Sequence, residues 1–245
     1  MVSDFLNEQE QVDLIKSLWK KYGLSLILLF IVAVAGLFSW QYWQKRSEGI
    51  KNGASVDYQY LLQQSQAGNT DAVVKIAHHL MQSYPDTPYS GMAALFVAQK
   101  NITDKNYKEA DKNLTFAMNH LKSPLNAVAI LRLARVKMAQ KEWADALVLL
   151  SNPSEGFEPE FFMLQGDVYV AEKNNEQAKK AYQSALSALE VKRALLSDSA
   201  QSKDKAQDQS QEQSQEQDKT QNSKEKIALK SLIQLKLNAI ISSNS

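Results

Sequence analysis

The stretch FMLQGDVYVAEKNNEQAKKAYQSA, residues 162–185, decides the fold. Phe162, Gly166 and Tyr169 recur at helical spacing, and after a turn at Lys173-Asn174 so do Ala178, Tyr182 and Ala185. Two helices joined by so short a turn must lie side by side. A small residue on each, Gly166 and then Ala178 twelve residues later, suits the close approach that such a hairpin needs.

The same junction occurs twice more. Lys105-Asn106-Tyr107-Lys108-Glu109-Ala110 and Lys141-Glu142-Trp143-Ala144-Asp145-Ala146 match Lys173-Asn174-Asn175-Glu176-Gln177-Ala178, their alanines standing 36 and then 32 residues apart. Twelve residues before each lies another small residue, Ala98 and Ala134. The middle copy keeps Leu133 but carries Lys137 where an aromatic is expected, and the first keeps Ala98, Ala110 and Ala117. Val73, Ile76, Ala77 and Leu80 suggest a degenerate fourth hairpin upstream. Thr87 and Pro88 read as an N-cap and first helical residue, a device that Ser123-Pro124 is expected to repeat. These spacings resemble the tetratricopeptide repeat, with an ordinary helical bundle as the alternative. The expected fold is all-α, with a tetratricopeptide-like α-solenoid over residues 44–197.

Near the start lies an apolar run without charge, residues 24–40, unlike anything else in the chain. Carried through Trp43 as a helix it rises about 30 Å, the thickness of a bilayer's hydrocarbon. Lys20 and Lys21 precede it, and Trp40, Tyr42, Trp43, Lys45 and Arg46 follow, side chains suited to the membrane interface. A single transmembrane helix, residues 24–43, is expected. Ala33-Val34-Ala35 also fits a signal-peptide cleavage site, but cleavage there would leave an apolar product end and an aromatic belt without a bilayer. An uncleaved signal anchor accounts for both. Flanking lysines and arginine give no orientation, so the long C-terminal part is taken as the translocated side and residues 1–23 as a cytoplasmic arm. Val12, Ile15, Trp19 and Tyr22 make that arm amphipathic if helical.

Residues 198–226 are built from Gln, Ser, Asp, Glu and Lys, too polar to offset the entropy of ordering, and are expected to be a disordered linker. Residues 227–241 return to apolarity, with Leu229, Leu232, Ile233, Leu237 and Ile240 on one broad face. Too short and too charged to span a bilayer, they are expected to cap the solenoid within a segment 227–245.

Composition removes several chemistries. The chain has no cysteine, hence no disulfide, thiolate metal site or lipobox. Its net charge of +1 argues against a nucleic-acid partner. His78 and His79 are adjacent and so point apart on a helix, and His120 stands alone. No phosphate-binding glycine loop or nucleophile elbow occurs. No catalytic residue, metal or cofactor is expected, and an enzyme is not. The repeat spacing instead directs Leu95, Gln99 and Ile102, then Leu131, Arg135 and Met138, then Met163, Asp167 and Val170 to the concave face. They form either a protein-binding groove or the bed on which the C-terminal helix packs.

Glu10-Gln11-Val12-Asp13, Lys16, Trp19 and Tyr22-Gly23, the apolar run with Trp40-Gln41-Tyr42-Trp43, Leu131-Arg132-Leu133-Ala134-Arg135-Val136 and Gln234-Leu235-Lys236-Leu237-Asn238 together resemble the bacterial YfgM family. The Gln-rich insertion departs from that family's compact pattern. The resemblance implies an ancillary subunit of the SecYEG translocon, anchored in the inner membrane with a periplasmic repeat domain. It further implies a PpiD-like periplasmic chaperone and exported client proteins as partners, beside the lipid bilayer. A scaffold for envelope assembly, not associated with the translocon, would use the same architecture.

Overall fold

The computed structural model describes the backbone of residues 8–203 and 212–243, and side chains without a break from 48 to 191. Among the described residues every regular element is an α-helix: α1 (Glu8–Gln66), α2 (Thr70–Ser83), α3 (Pro88–Thr103), α4 (Tyr107–His120), α5 (Leu125–Ala139), α6 (Trp143–Leu150), α7 (Glu158–Ala171), α8 (Asn175–Lys203) and α9 (Glu212–Ser243). The chain divides into two units, residues 1–53 and 54–245.

In the first unit the backbone is helical from Glu8 onward. The arm and the apolar run are therefore not separate helices. Gly23 between them is a single glycine, which costs a helix about 1 kcal/mol and does not stop it. Residues 1–7 of the arm and most side chains of the apolar run lie outside the described residues. Among the described residues no helix is long and apolar enough to cross a membrane.

The second unit is built from one turn used four times. Lys105, Lys141 and Lys173 take left-handed φ values of 59°, 62° and 62°. Each sits where a helix ends, and the next amide, of Asn106, Glu142 or Asn174, donates to the carbonyl five residues back, at 2.8, 2.9 and 2.8 Å. That pair of features is the Schellman stop, in which glycine is the usual residue. Gly68, with φ of 74°, makes the same stop, the Asn69 amide donating to the Gln64 carbonyl at 3.0 Å. Aligned on it, the degenerate fourth hairpin is complete: Leu61 and Val73 take the places of Ala98 and Ala110, and both are buried.

Small residues then set how closely the hairpins close. Ala98, Ala110, Ala134, Ala146, Gly166 and Ala178 are all buried. The apolar interior is a chain of linked clusters rather than one ball. Leu61, Val73, Ala77, Leu80, Ala93 and Val97 join the end of α1 to α2 and α3. Ala98, Ala110, Leu114, Leu133 and Val136 join α3, α4 and α5. Leu131, Ala134, Ala146, Leu150, Phe161 and Leu164 join α5, α6 and α7. Met163, Ala178, Tyr182, Ile233 and Ile240 join α7, α8 and α9. Each helix touches its neighbours in sequence, which is the organisation of a solenoid.

Thr87 and Pro88 open α3 as the spacing predicts, whereas Pro124 stands as the N-cap residue before α5 and not within its first turn. Residues 198–226 carry helical backbone at 198–203 in α8 and 212–226 in α9, with 204–211 outside the described residues. Polarity argued against a core there, but Gln, Glu, Lys and Ala are strong helix formers and the stretch has neither proline nor glycine. The helix α9 begins at Glu212, and residues 244–245 lie outside the described residues.

Candidate functional site

The three inner helices α3, α5 and α7 bring the nine expected groove residues to equivalent positions, but not to equivalent exposure. Leu131 is buried in the α5–α7 cluster and Met163 in the cluster with α9. Leu95 and Ile102 are half-buried against the α3–α5 cluster and Met138 against the α5–α7 cluster. Gln99, Arg135 and Val170 are exposed. The open part of the surface is thus a row of one polar, one cationic and one apolar side chain. Arg132, one turn before Arg135, is half-buried, and burial first and the neighbouring guanidinium second lower its pKa. The middle repeat therefore presents positive charge.

In the third repeat the surface is occupied. Asp167 Oδ1 accepts from Tyr182 Oη at 2.6 Å and from Lys236 Nζ of α9 at 2.5 Å. Burial, then the Asp167 hydrogen bond and charge, raise the Tyr182 pKa far above its ordinary value. The phenol is held neutral as donor to a carboxylate that the ammonium also needs. Ile233 and Ile240 pack against Met163 and Tyr182, with Leu229 and Leu237 alongside. Leu232, expected on that face, is instead 43% exposed, because the packed side of α9 is narrower than its apolar composition suggests. A shallow hollow of 410 Å³ remains where α9 meets α7, lined in part by Asp167, Val170, Lys236 and Ala239. Sequence reasoning placed Asp167 on the concave face but did not find Lys236 or Tyr182 as its partners. The two carboxylate contacts lie 69 and 15 residues away along the chain.

Lys137, which stands where the repeat prefers an aromatic, bridges helices instead. Its ammonium lies 2.7 Å from Asp111, 2.8 Å from Glu142 and 4.0 Å from Asp145. Hydrogen bonds to Asp111 and then to Glu142 raise its pKa, so it stays charged while it ties α4, α5 and the α5–α6 turn.

Of the residues expected at a membrane interface, Lys20, Trp40, Trp43, Lys45 and Arg46 are exposed, and the rings of Trp40 and Trp43 stand 6.3 Å apart. The side chains of Lys21 and Tyr42 lie outside the described residues. His78 and His79 are exposed, the latter 3.4 Å from Asp57, and His120 stacks on Phe116 at 3.8 Å. Among the described residues no three His, Asp or Glu side chains gather as metal ligands would.

Comparison with known proteins agrees with this architecture. The family described as tetratricopeptide repeat-like domain matches residues 16–203. A Neisseria gonorrhoeae protein named "Ancillary SecYEG translocon subunit" is 30% identical over 185 residues, covering 74% of this chain and 88% of its own. Proteins of the same name from Haemophilus influenzae and Escherichia coli are 28% and 25% identical over 182 residues, covering 74% of this chain and 89% and 87% of theirs.

Proposed function

Because the chain belongs to the tetratricopeptide repeat-like family of ancillary SecYEG translocon subunits (YfgM), we propose that it works beside the Sec translocon as a non-catalytic adaptor. Its apolar run, residues 24–43, is a single membrane anchor, with residues 1–23 cytoplasmic and the repeat unit periplasmic. The repeats dock a PpiD-like chaperone or an emerging exported chain and pass one to the other. One observation supports this reading: Gln99 and Arg135 are exposed, with Ile102 and Met138 half-buried, while the last repeat is covered by α9. Mixed polar and apolar side chains of this kind suit extended chains of varied sequence.

Gentle detergent extraction followed by identification of the co-purifying complex tests the role. Translocon subunits should be present. Recovery with an envelope-assembly complex and without them would establish the scaffold reading instead. Topology has its own test, since the chain is free of cysteine. Cysteines introduced at Ser3 and Asn69 should label from opposite sides of the membrane, and labelling of both from one side refutes the anchor.

A further inference from the structure

The ion pair between Asp167 and Lys236 joins the inner helix of one repeat to the next helix in the stack. Ile233, Lys236 and Ile240 of α9 repeat the spacing of Phe161, Leu164 and Val168 of α7, and in both helices the outer two are buried against the preceding repeat. The register of the pair can therefore be followed backwards along the stack. Arg135 holds the place of Asp167 one repeat earlier, and the residue in the place of Lys236 is then Leu164, buried and apolar. Arg132 in turn holds the place of Lys236, and the residue in the place of Asp167 before it is Gln99, which carries no charge.

The repeat register thus gives neither arginine an internal counter-ion. Among the described residues neither meets a carboxylate, whereas Lys137 on the same helix has three within reach. A lone exposed lysine is simply solvated. A half-buried guanidinium beside a second one is not, and burial first and Arg135 second lower the Arg132 pKa accordingly. The stack carries two cations on α5 that cost stability unless an anion arrives from outside.

We propose that Arg132 and Arg135 together bind a carboxylate side chain of a protein segment laid across the inner helices, an Asp or Glu flanked by apolar residues. Side chains three apart on a helix are neighbours, and two guanidinium forks can share one carboxylate. The surroundings select a peptide over a bare anion. Ile102 and Met138 are half-buried on the same expected face and accept apolar flanks, and exposed Gln99 offers an amide donor and acceptor to a peptide backbone. A lone phosphate would use the cations and nothing else. The proposal deepens the adaptor reading and rests on it for the origin of the segment, an exported chain or a partner chaperone.

The test uses the full chain in detergent micelles on an array of short peptides cut from exported proteins. The parent should prefer peptides with Asp or Glu next to leucine-like residues, and added salt should weaken that preference. Arg132→Gln with Arg135→Gln should weaken binding of those peptides about tenfold, and Arg135→Glu should turn the preference toward lysine. The melting temperature of Arg132→Gln should hold or rise, because an uncompensated charge is removed. A parent without acidic preference, or a double variant that keeps it, overturns the proposal. So does an Arg132→Gln protein that melts earlier and binds as before, which makes the arginine a packing residue. Parent protein that favours mixed micelles containing phosphatidylglycerol, shows no preference among peptides and loses the lipid effect in the double variant also overturns it. Co-purification with translocon subunits is scored separately, so the adaptor reading and this site can fail independently.

Discussion

Gly166 on α7 lies directly beneath the ring of Tyr182 on α8: a Cβ at Gly166 would stand 2.6 Å from Cδ1 and 2.8 Å from Cζ of that ring. The close approach at this hairpin is therefore between Gly166 and Tyr182, and Ala178 packs in the same cluster without being the residue that needs the glycine. Tyr182 cannot simply swing aside, because its hydroxyl is bonded to Asp167. Gly166→Ala should cost about 1–3 kcal/mol through overpacking. Chemical denaturation reads the loss, and a parent-like midpoint would show that the ring has another place to go.

Alkaline pH should weaken the third repeat through Tyr182. Its folded pKa is raised, so the fold favours the neutral phenol. The stability this provides is whole below the unfolded value, about 10, and is lost as pH rises beyond it. Lys137, also raised, adds a loss of the same sign. Melting temperatures measured from pH 8 to 11 should fall for the parent and fall less for Tyr182→Phe, which keeps only the Lys137 part. At neutral pH Tyr182→Phe should cost about 1 kcal/mol for the lost hydrogen bond.

The left-handed lysines offer stabilising changes. A non-glycine residue in that conformation costs roughly 1–2 kcal/mol, while glycine adds about 0.5–1 kcal/mol of unfolded-chain entropy. The first effect is the larger. Lys105→Gly, Lys141→Gly and Lys173→Gly should each raise stability by about 0.5–1 kcal/mol in denaturant titration, additively because the turns belong to different repeats. A loss at any of them would mean that the lysine side chain makes a contact worth more than the strain.

Ile233 is fully buried between α9 and the last repeat. Ile233→Ala should cost about 2–4 kcal/mol and loosen α9 before anything else. Hydrogen exchange should quicken across residues 227–243 and leave α3 and α5 unchanged. Uniformly faster exchange would instead make α9 part of one cooperative unit with the whole stack.

Much of this fold was legible in the sequence because the signals are local. Ala110, Ala146 and Ala178 mark hairpin crossings within a dozen residues, and the three Lys-containing turns are consecutive residues. The fourth turn was legible too, in Gly68-Asn69, but Leu61 and Val73 stand where the other hairpins carry small residues. What lay beyond reach was long-range. Nothing near Asp167 says that its cation comes from Lys236, or that Leu131 and Met163 would be buried while Arg135, on the same expected face, stays open. In the polar stretch before α9 low apolar content speaks against a core and by itself says nothing against helical backbone.

Among the described residues α9 is held by Met163, Asp167 and Tyr182 of the last repeat, and by Glu190 of α8 through Lys230. Lengthening or shortening the segment between α8 and α9 should consequently leave the register in which α9 lies unchanged. By the same logic α9 supplied as a separate polypeptide should find its place on the last repeat.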